Sequence, residues 1–578
     1  MRTHFIFIFC FFQISLWSQT YEDHFGNGNT GGVITSSSPI EDLNQEINSI
    51  NGTGFFPDEA GAVRFLHQAT FGANMDQVQA LTTQGIENWI DEQIAMDYTG
   101  WHEHAEEVWA YMVLITQEGS MLASQASSLE YAFYDKIMND EDQLRQKVAF
   151  ALSQIVVASF NHAELFRHRA PFVRYYDNLY THALGNYRDV LQTTTESRCM
   201  GTYLSYFQNQ KTNFATGVTP DENYAREVMQ LFTIGLWELN NDGTRKQDAF
   251  GNDIPTYDIN DIQQLARVFT GYQTASDEVL VMNNNIHDQG VKVLPEGTIL
   301  PAYNGGTSDV RDALDALFEH PNTAPFISIR LIQQLVKSNP SRAYVSRISN
   351  VFIDNGEGVR GDLGAVVKAI LLDPEARTCN FDEDLATGKL LQPIERFTMI
   401  YKAFNLTTPS GRFFSRGGFA NSAKQKFLNA PSVFNFFAPE YAEPGTIEPL
   451  GLVSPEFQIL DNVTIIQYMN GMETTTHGRP FANYTAGQNS SAPQINNNDE
   501  PVLDFSLQIN IYQNQGAGAL VEHLNLLLCR NQLTNESKDI IEDALNAYQN
   551  QINGYNAEQA VRDAIYFIVC TPSFTILK

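Results

Sequence analysis

Cysteine is scarce: five residues in 578, none at the C-x-x-C spacing of zinc or redox sites. H-E-x-x-H, G-x-S-x-G and the phosphate-binding G-x-x-x-x-G-K loop are absent too, so zinc-peptidase, α/β-hydrolase and P-loop chemistry have no motif support. Positive charge is short, with 36 Lys and Arg against 67 Asp and Glu and a net charge of −31. That balance opposes binding to nucleic acid or to anionic membrane, both of which need a basic surface. Beyond the N-terminus no apolar run approaches the roughly 18 residues of a spanning helix, so no membrane span is expected. A 43% hydrophobic share with 18% charge excludes wholesale disorder and describes a core-forming chain.

The N-terminus does carry an apolar run, and a short one. Arg2 precedes Phe5 to Trp17, and Leu16-Trp17-Ser18-Gln19 closes the segment. This is the pattern of a signal peptide over residues 1–19, cleaved near Gln19. The expected address is periplasmic, cell-surface or extracellular. Residues 20–57 are rich in Gly, Ser, Thr and Asn and predict an extended leader. Cys529 and Cys570 end apolar helical patterns and are either a staple between them or two buried thiols; Cys199 and Cys379 have no partner by spacing.

From residue 58 to residue 578 helical periodicity dominates. Leu144 to Val157 predicts a helix buried on most sides; Tyr175 to Leu184 and Asn186 to Thr195 predict two more, joined at Gly185. Asp362 is placed to cap Leu363 to Leu372. Val279-Leu-Val-Met and Val291-Lys-Val-Leu, separated by polar residues, suggest a small hairpin. Residues 471–501 form a Thr/Asn/Ser/Gly/Pro tract expected to be a surface loop. The fold class is therefore mainly α: one large multi-helix domain with a small β-hairpin insertion and an extended N-terminal leader.

Candidate chemistry concentrates in two places. In Thr219-Pro-Asp-Glu-Asn-Tyr-Ala-Arg-Glu-Val-Met-Gln, Thr219 and Glu222 suit a capping box, and Gly235 suits the stop. At helical spacing Asn223, Arg226, Glu227 and Gln230 share one stripe, opposite Tyr224, Val228 and Phe232. Amide, guanidinium and carboxylate together suit a sugar or a substrate carboxylate, with Glu227 as base. The competing reading is a plain water-facing stripe. His287-Asp288 at a polar turn offers an acid or a metal ligand pair, and Arg267, on a helix over residues 257–271, could complete the cluster. His102-Glu103-His104 looks metal-like, but residues two apart diverge on a helix. His67 reads as a core histidine. The identity of any metal or cofactor is left open.

Several segments jointly resemble a bacterial family of domains of unknown function, number 1800. They include Arg64-Phe-Leu-His-Gln-Ala-Thr-Phe-Gly, Leu144-Arg-Gln-Lys-Val-Ala-Phe-Ala-Leu-Ser-Gln, Gly185-Asn-Tyr-Arg-Asp and Asn223-Tyr-Ala-Arg-Glu. Leu265-Ala-Arg-Val-Phe-Thr-Gly-Tyr, His287-Asp288 with Lys292, Ala430-Pro-Ser-Val-Phe-Asn and Ser454-Pro-Glu-Phe continue the match. The resemblance implies an exported, largely helical protein. It also implies a possible secreted partner related to sulfatases and alkaline phosphatases, since such proteins are often encoded beside the family. Two functions stay open: a secreted helical protein that binds a partner or extracellular polymer, and a hydrolase-like enzyme using Glu227, His287 and Asp288.

Overall fold

The computed structural model describes residues 56–116, 122–276, 279–377, 386–413, 423–478 and 501–578. The segment expected to be a signal peptide, nearly all of the expected leader and Cys379 lie outside these residues. Within them stand 23 α-helices and three two-stranded sheets, so the fold is mainly α, as the periodicity predicts. No described helix is long and apolar enough to cross a membrane.

Helix Gln143–Ser153 is central, and every one of its residues is buried, including Arg145 and Lys147. One continuous set of buried apolar side chains runs from Ala62 to Leu577. Helix Glu59–Ala69 packs on helix Ala517–Cys529, so the two ends of the described chain meet. There Arg530 donates to the buried His67 ring at 3.1 Å, which makes His67 the core histidine expected. Asp362 caps helix Leu363–Leu372 by accepting from Ala365 N–H, and Asn186 caps Tyr187–Thr195.

Three local expectations are corrected. The apolar runs near 279 and 291 do not pair with each other. Strand β1 (Tyr272–Thr274) pairs with β2 (Leu280–Met282), and β3 (Lys292–Val293) with β4 (Ile299–Leu300), both antiparallel. The stretch between β2 and β3 turns inward instead, carrying His287 into the core. Residues 471–477 are not loop: helix Asn462–His477 continues through them, and the Thr474, Thr475 and Thr476 hydroxyls donate to carbonyls four residues back. Tyr468 anchors that helix by donating to Val569 O at 2.5 Å, so packing overrides weak propensity; residues 479–500 are outside the described set. The capping box at Thr219 does not form either. Helix Asn223–Gln230 starts later, with Asp221 Oδ1 accepting from Asn223 N–H. Cys529 and Cys570 are free thiols, not a staple.

The last sheet links distant parts of the chain. Strand β5 (Lys389–Leu390) pairs with β6 (Ile576–Leu577), Lys389 facing Leu577. Lys389 thereby becomes a buried ammonium beside the cleft described next.

Candidate functional site

The stripe on helix Asn223–Gln230 is only partly as expected. Tyr224, Val228 and Phe232 are buried, Asn223 is exposed, and Arg226 and Gln230 are half-buried. Arg226 reaches Glu222 at 3.8 Å. Glu227 departs from the pattern: it is buried, and its Oε2 has no hydrogen-bond partner. Burial pushes its carboxyl up, with Arg226 opposing. The short helix packs against Ile259–Val268, a tertiary contact that a helical wheel drawn for one isolated helix does not register.

The His287 neighbourhood is assembled as a unit. His287, Lys292 and Asp309 are at most 1% exposed. His287 Nδ1 lies 2.7 Å from Thr270 O, and Nε2 lies 3.0 Å from Asp309 Oδ2. Lys292 donates to the same Oδ2 at 2.6 Å and to Asp288 O at 2.6 Å. Asn304 donates to Asp309 Oδ1 at 3.1 Å. Burial alone would raise the Asp309 carboxyl, but the His287 and Lys292 hydrogen bonds hold it below the usual range. Asp288 accepts two bonds from Arg267 and one from Gly290 N–H, and its carboxyl is likewise held low against the effect of burial. Gly271, at φ +102°, and Gly306 press on His287: an added Cβ would lie 2.9 Å from His287 Cβ or 3.0 Å from its Cγ. Arg267, His287 and Asp288 therefore do meet, but every polar atom of the imidazole and of the Asp288 carboxylate is already engaged. His102 and His104 lie on helix Trp101–Thr116, where they diverge; His104 faces Asp135 at 3.3 Å.

Of the nominated residues, Gln230 borders a cavity of about 320 Å³, and neither Glu227 nor His287 lines it. The volume lies at the lower end of the roughly 300–1,000 Å³ typical of small-molecule sites. Its walls come from the end of helix Gln143–Ser153, the end of Asn223–Gln230 with the turn after it, helix Thr323–Leu335, residues 433–440, and the 3₁₀ helix Pro455–Ile459. Gly235, at φ +69°, admits the close approach of Phe326, whose ring carbons lie 2.9 Å from where a Cβ would stand. Trp237, Phe326, Phe434 and Phe437 supply flat apolar surface. Asn435, at φ +67°, donates to Gln154 Oε1 at 3.0 Å. Gln154 Nε2 and Glu456 Oε2 are buried without partners.

Behind Glu456 runs a line of buried charge. Its Oε1 faces Lys389 at 3.3 Å, and Lys147 contacts Glu395 Oε1 at 2.5 Å; all four side chains are 3% exposed or less. Burial would raise Glu395, but Lys147 and Lys389 hold it low, whereas burial raises Glu456 with Lys389 opposing. Isolated charges at such depth are costly, and pairing offsets part of that cost. Residue-by-residue reading missed Gln154, Trp237, Arg330 and Glu456. A signal existed: three of the segments carrying the family resemblance end on this cleft, at Gln154, Asn435 and Glu456. A second cavity of about 610 Å³ contains none of the nominated residues.

Helical architecture and a cleft built by distant segments define a large α-helical protein with more than one ligand-sized recess among its described residues. The chain belongs to the family described as protein of unknown function (DUF1800), whose match covers residues 64–576. Neither a curated protein nor a solved structure matches it.

Proposed function

We propose that the protein is an exported binding protein that takes part of an extracellular polymer into the Gln154–Glu456 cleft, as an accessory to secreted partners. One observation carries this reading: the residues lining the cleft hold three buried polar atoms, Gln154 Nε2, Arg245 Nε and Glu456 Oε2, that have no hydrogen-bond partner. An unmade hydrogen bond of this kind costs about 1–3 kcal/mol, and a ligand group can recover it. The apolar segment at residues 5–17 supports export, and the acidic surface fits an uncharged partner better than an anionic one. The resemblance favours a sulfatase-like or alkaline-phosphatase-related secreted protein as a partner.

The alternative, a hydrolase with Glu227 as general base and His287 and Asp288 as acid or metal ligands, has weaker support. An acid or metal ligand needs a free ring nitrogen or carboxylate oxygen; Glu227 keeps one, but those of His287 and Asp288 are spent on Thr270, Asp309, Arg267 and Gly290.

The test is thermal melting of the purified chain with a panel of soluble glycans, peptides and anionic polymers. A ligand at about 100 times its Kd stabilises by about 2.7 kcal/mol, a readable rise in Tm. The expected result is a rise that Trp237→Ala abolishes. No rise with any polymer, or one indifferent to Trp237→Ala, overturns the reading.

A further inference from the structure

Two arginines line the cleft, and their charges are met differently. Arg245 is held by Asp253 at 2.5 Å, and its guanidinium carbon lies 5.1 Å from the Trp237 ring centre. Arg330, half-buried on helix Thr323–Leu335, has no ion pair among the described residues. Its Nη1 donates to Gln333 Oε1 at 3.1 Å. Gln333 in turn donates to Ser338 O at 3.1 Å and Pro439 O at 3.3 Å, so the acceptor that orients the guanidinium is itself clamped. The Phe326 ring centre lies 5.0 Å from the guanidinium carbon. Neutral contacts thus hold the group in place while its charge stays open. Burial lowers the Arg330 guanidinium below its ordinary value, with Glu440 opposing. A guanidinium remains protonated all the same, so the missing partner is an anion.

Reach separates Arg330 from the other unsatisfied groups. Gln154 Nε2, Arg245 Nε and Glu456 Oε2 are sealed within the walls. Arg330 Nε and Nη2, equally without a partner, are not. That edge presents two N–H donors side by side, which the two oxygens of a carboxylate match.

The surroundings limit the ligand to one such charge. Glu440 and Glu456 line the same recess, so further carboxylates would be repelled there, and a net charge of −31 disfavours polyanions altogether. Most of the remaining wall is apolar, with Leu236, Trp237, Phe326, Val433, Phe434 and Phe437 in it. Phe434 is 47% exposed, so an aromatic face is open to a ligand. Such walls favour an apolar or aromatic group, and a recess of about 320 Å³ has room for a small ligand rather than a long one.

We infer that the cleft takes a single carboxylate carried beside an apolar or aromatic group, with the carboxylate on Arg330 and the apolar group against the aromatic walls. This deepens the binding reading and rests on it. The chemistry belongs to the carboxylate end of an otherwise uncharged chain, such as a polypeptide, and equally to a free arylalkanoic acid.

Calorimetric titration tests it, with an acetylated tripeptide ending in phenylalanine and with 3-phenylpropionate, each against its own carboxamide. Cellohexaose and polygalacturonate serve as neutral and polyanionic controls. At least one acid binds, and its amide binds about ten- to a hundredfold more weakly, the loss of a charge-assisted pair. Arg330→Met weakens the acid by a similar factor and the amide little; Arg330→Lys falls between, keeping the charge without the fork. Tighter binding of the peptide assigns the chain end, and tighter binding of 3-phenylpropionate assigns the free acid. Should Arg330→Met fail to fold, the comparison of acid with amide on the unaltered protein decides alone. Acid and amide binding alike, or acid binding indifferent to Arg330→Met, overturns the carboxylate contact. Binding of cellohexaose or polygalacturonate alone, abolished by Trp237→Ala, overturns the ligand class and leaves the cleft standing. Silence from every probe overturns this inference, and the melting panel of polymers then judges the binding reading separately.

Discussion

Gln154 and Asn435, 281 positions apart, meet at 3.0 Å, Asn435 Nδ2 donating to Gln154 Oε1. Asn435 does so from a left-handed backbone, φ +67°, which Asn tolerates better than most residues. Replacing it with Ala leaves a buried acceptor unpaired and adds backbone strain, a loss of about 2–3 kcal/mol in urea unfolding. Asn435→Gly is expected to lose less, because it removes the strain and keeps only the hydrogen-bond deficit. Equal losses would mean that conformation contributes nothing.

Arg267 and Asp288 form a two-pronged pair, Nε to Oδ2 at 3.0 Å and Nη2 to Oδ1 at 2.9 Å. Lys cannot reproduce that fork. Arg267→Lys should lower stability by about 1–2 kcal/mol and Asp288→Ala by more, since the latter leaves a half-buried guanidinium without its counter-charge. Neither should change ligand affinity at the cleft. A loss of affinity without a fall in Tm would instead give this pair a direct functional role.

Asp309 predicts a specific acid response. Its carboxyl is held below the ordinary range in the folded state, by His287 and Lys292 acting against burial. A depressed carboxylate contributes stability above its unfolded value, near 3.9, and that contribution disappears as pH falls through the lower folded value. The gap between wild type and Asp309→Asn in urea midpoint should therefore be widest above about pH 4 and shrink below it. A gap that is constant between pH 6 and pH 3 would remove the charge argument.

Much of the architecture was readable because helix signals are local. Asp362 as a cap, the uniformly buried 143–153 helix and the pairing of Tyr224 with Val228 on the apolar side all follow from spacing within one turn or two. Glu227 is buried, a tertiary fact that spacing within its own short helix does not encode. His287 and Asp288 stand out in the sequence as an acid or metal-ligand pair at a polar turn, and the structure packs that turn against Asp309 and Arg267. Asp309 itself does not stand out, because an Asp three residues into a helix looks like ordinary first-turn charge. The cleft was the least readable part: Gln154, Asn435 and Glu456 have unremarkable local contexts, and only folding brings them together.

Lys147 and Glu395 predict strong coupling. Removing one partner by Lys147→Met strands a buried carboxylate and should cost about 3–5 kcal/mol. The double variant Lys147→Met/Glu395→Leu should recover much of that, so the double-mutant cycle returns a large interaction term. Additive losses would show the two charges to be independent.

The pairing of Lys389 with Leu577 has a kinetic corollary. Joining segments 188 positions apart requires closure of a long loop, a slow and late event in chain collapse. Lys389 stands behind Glu456, so the recess can acquire its final shape only after the tail has docked. Recovery of binding during refolding would then clock the completion of the whole molecule, and folding intermediates lacking that last clasp would be compact yet unable to bind.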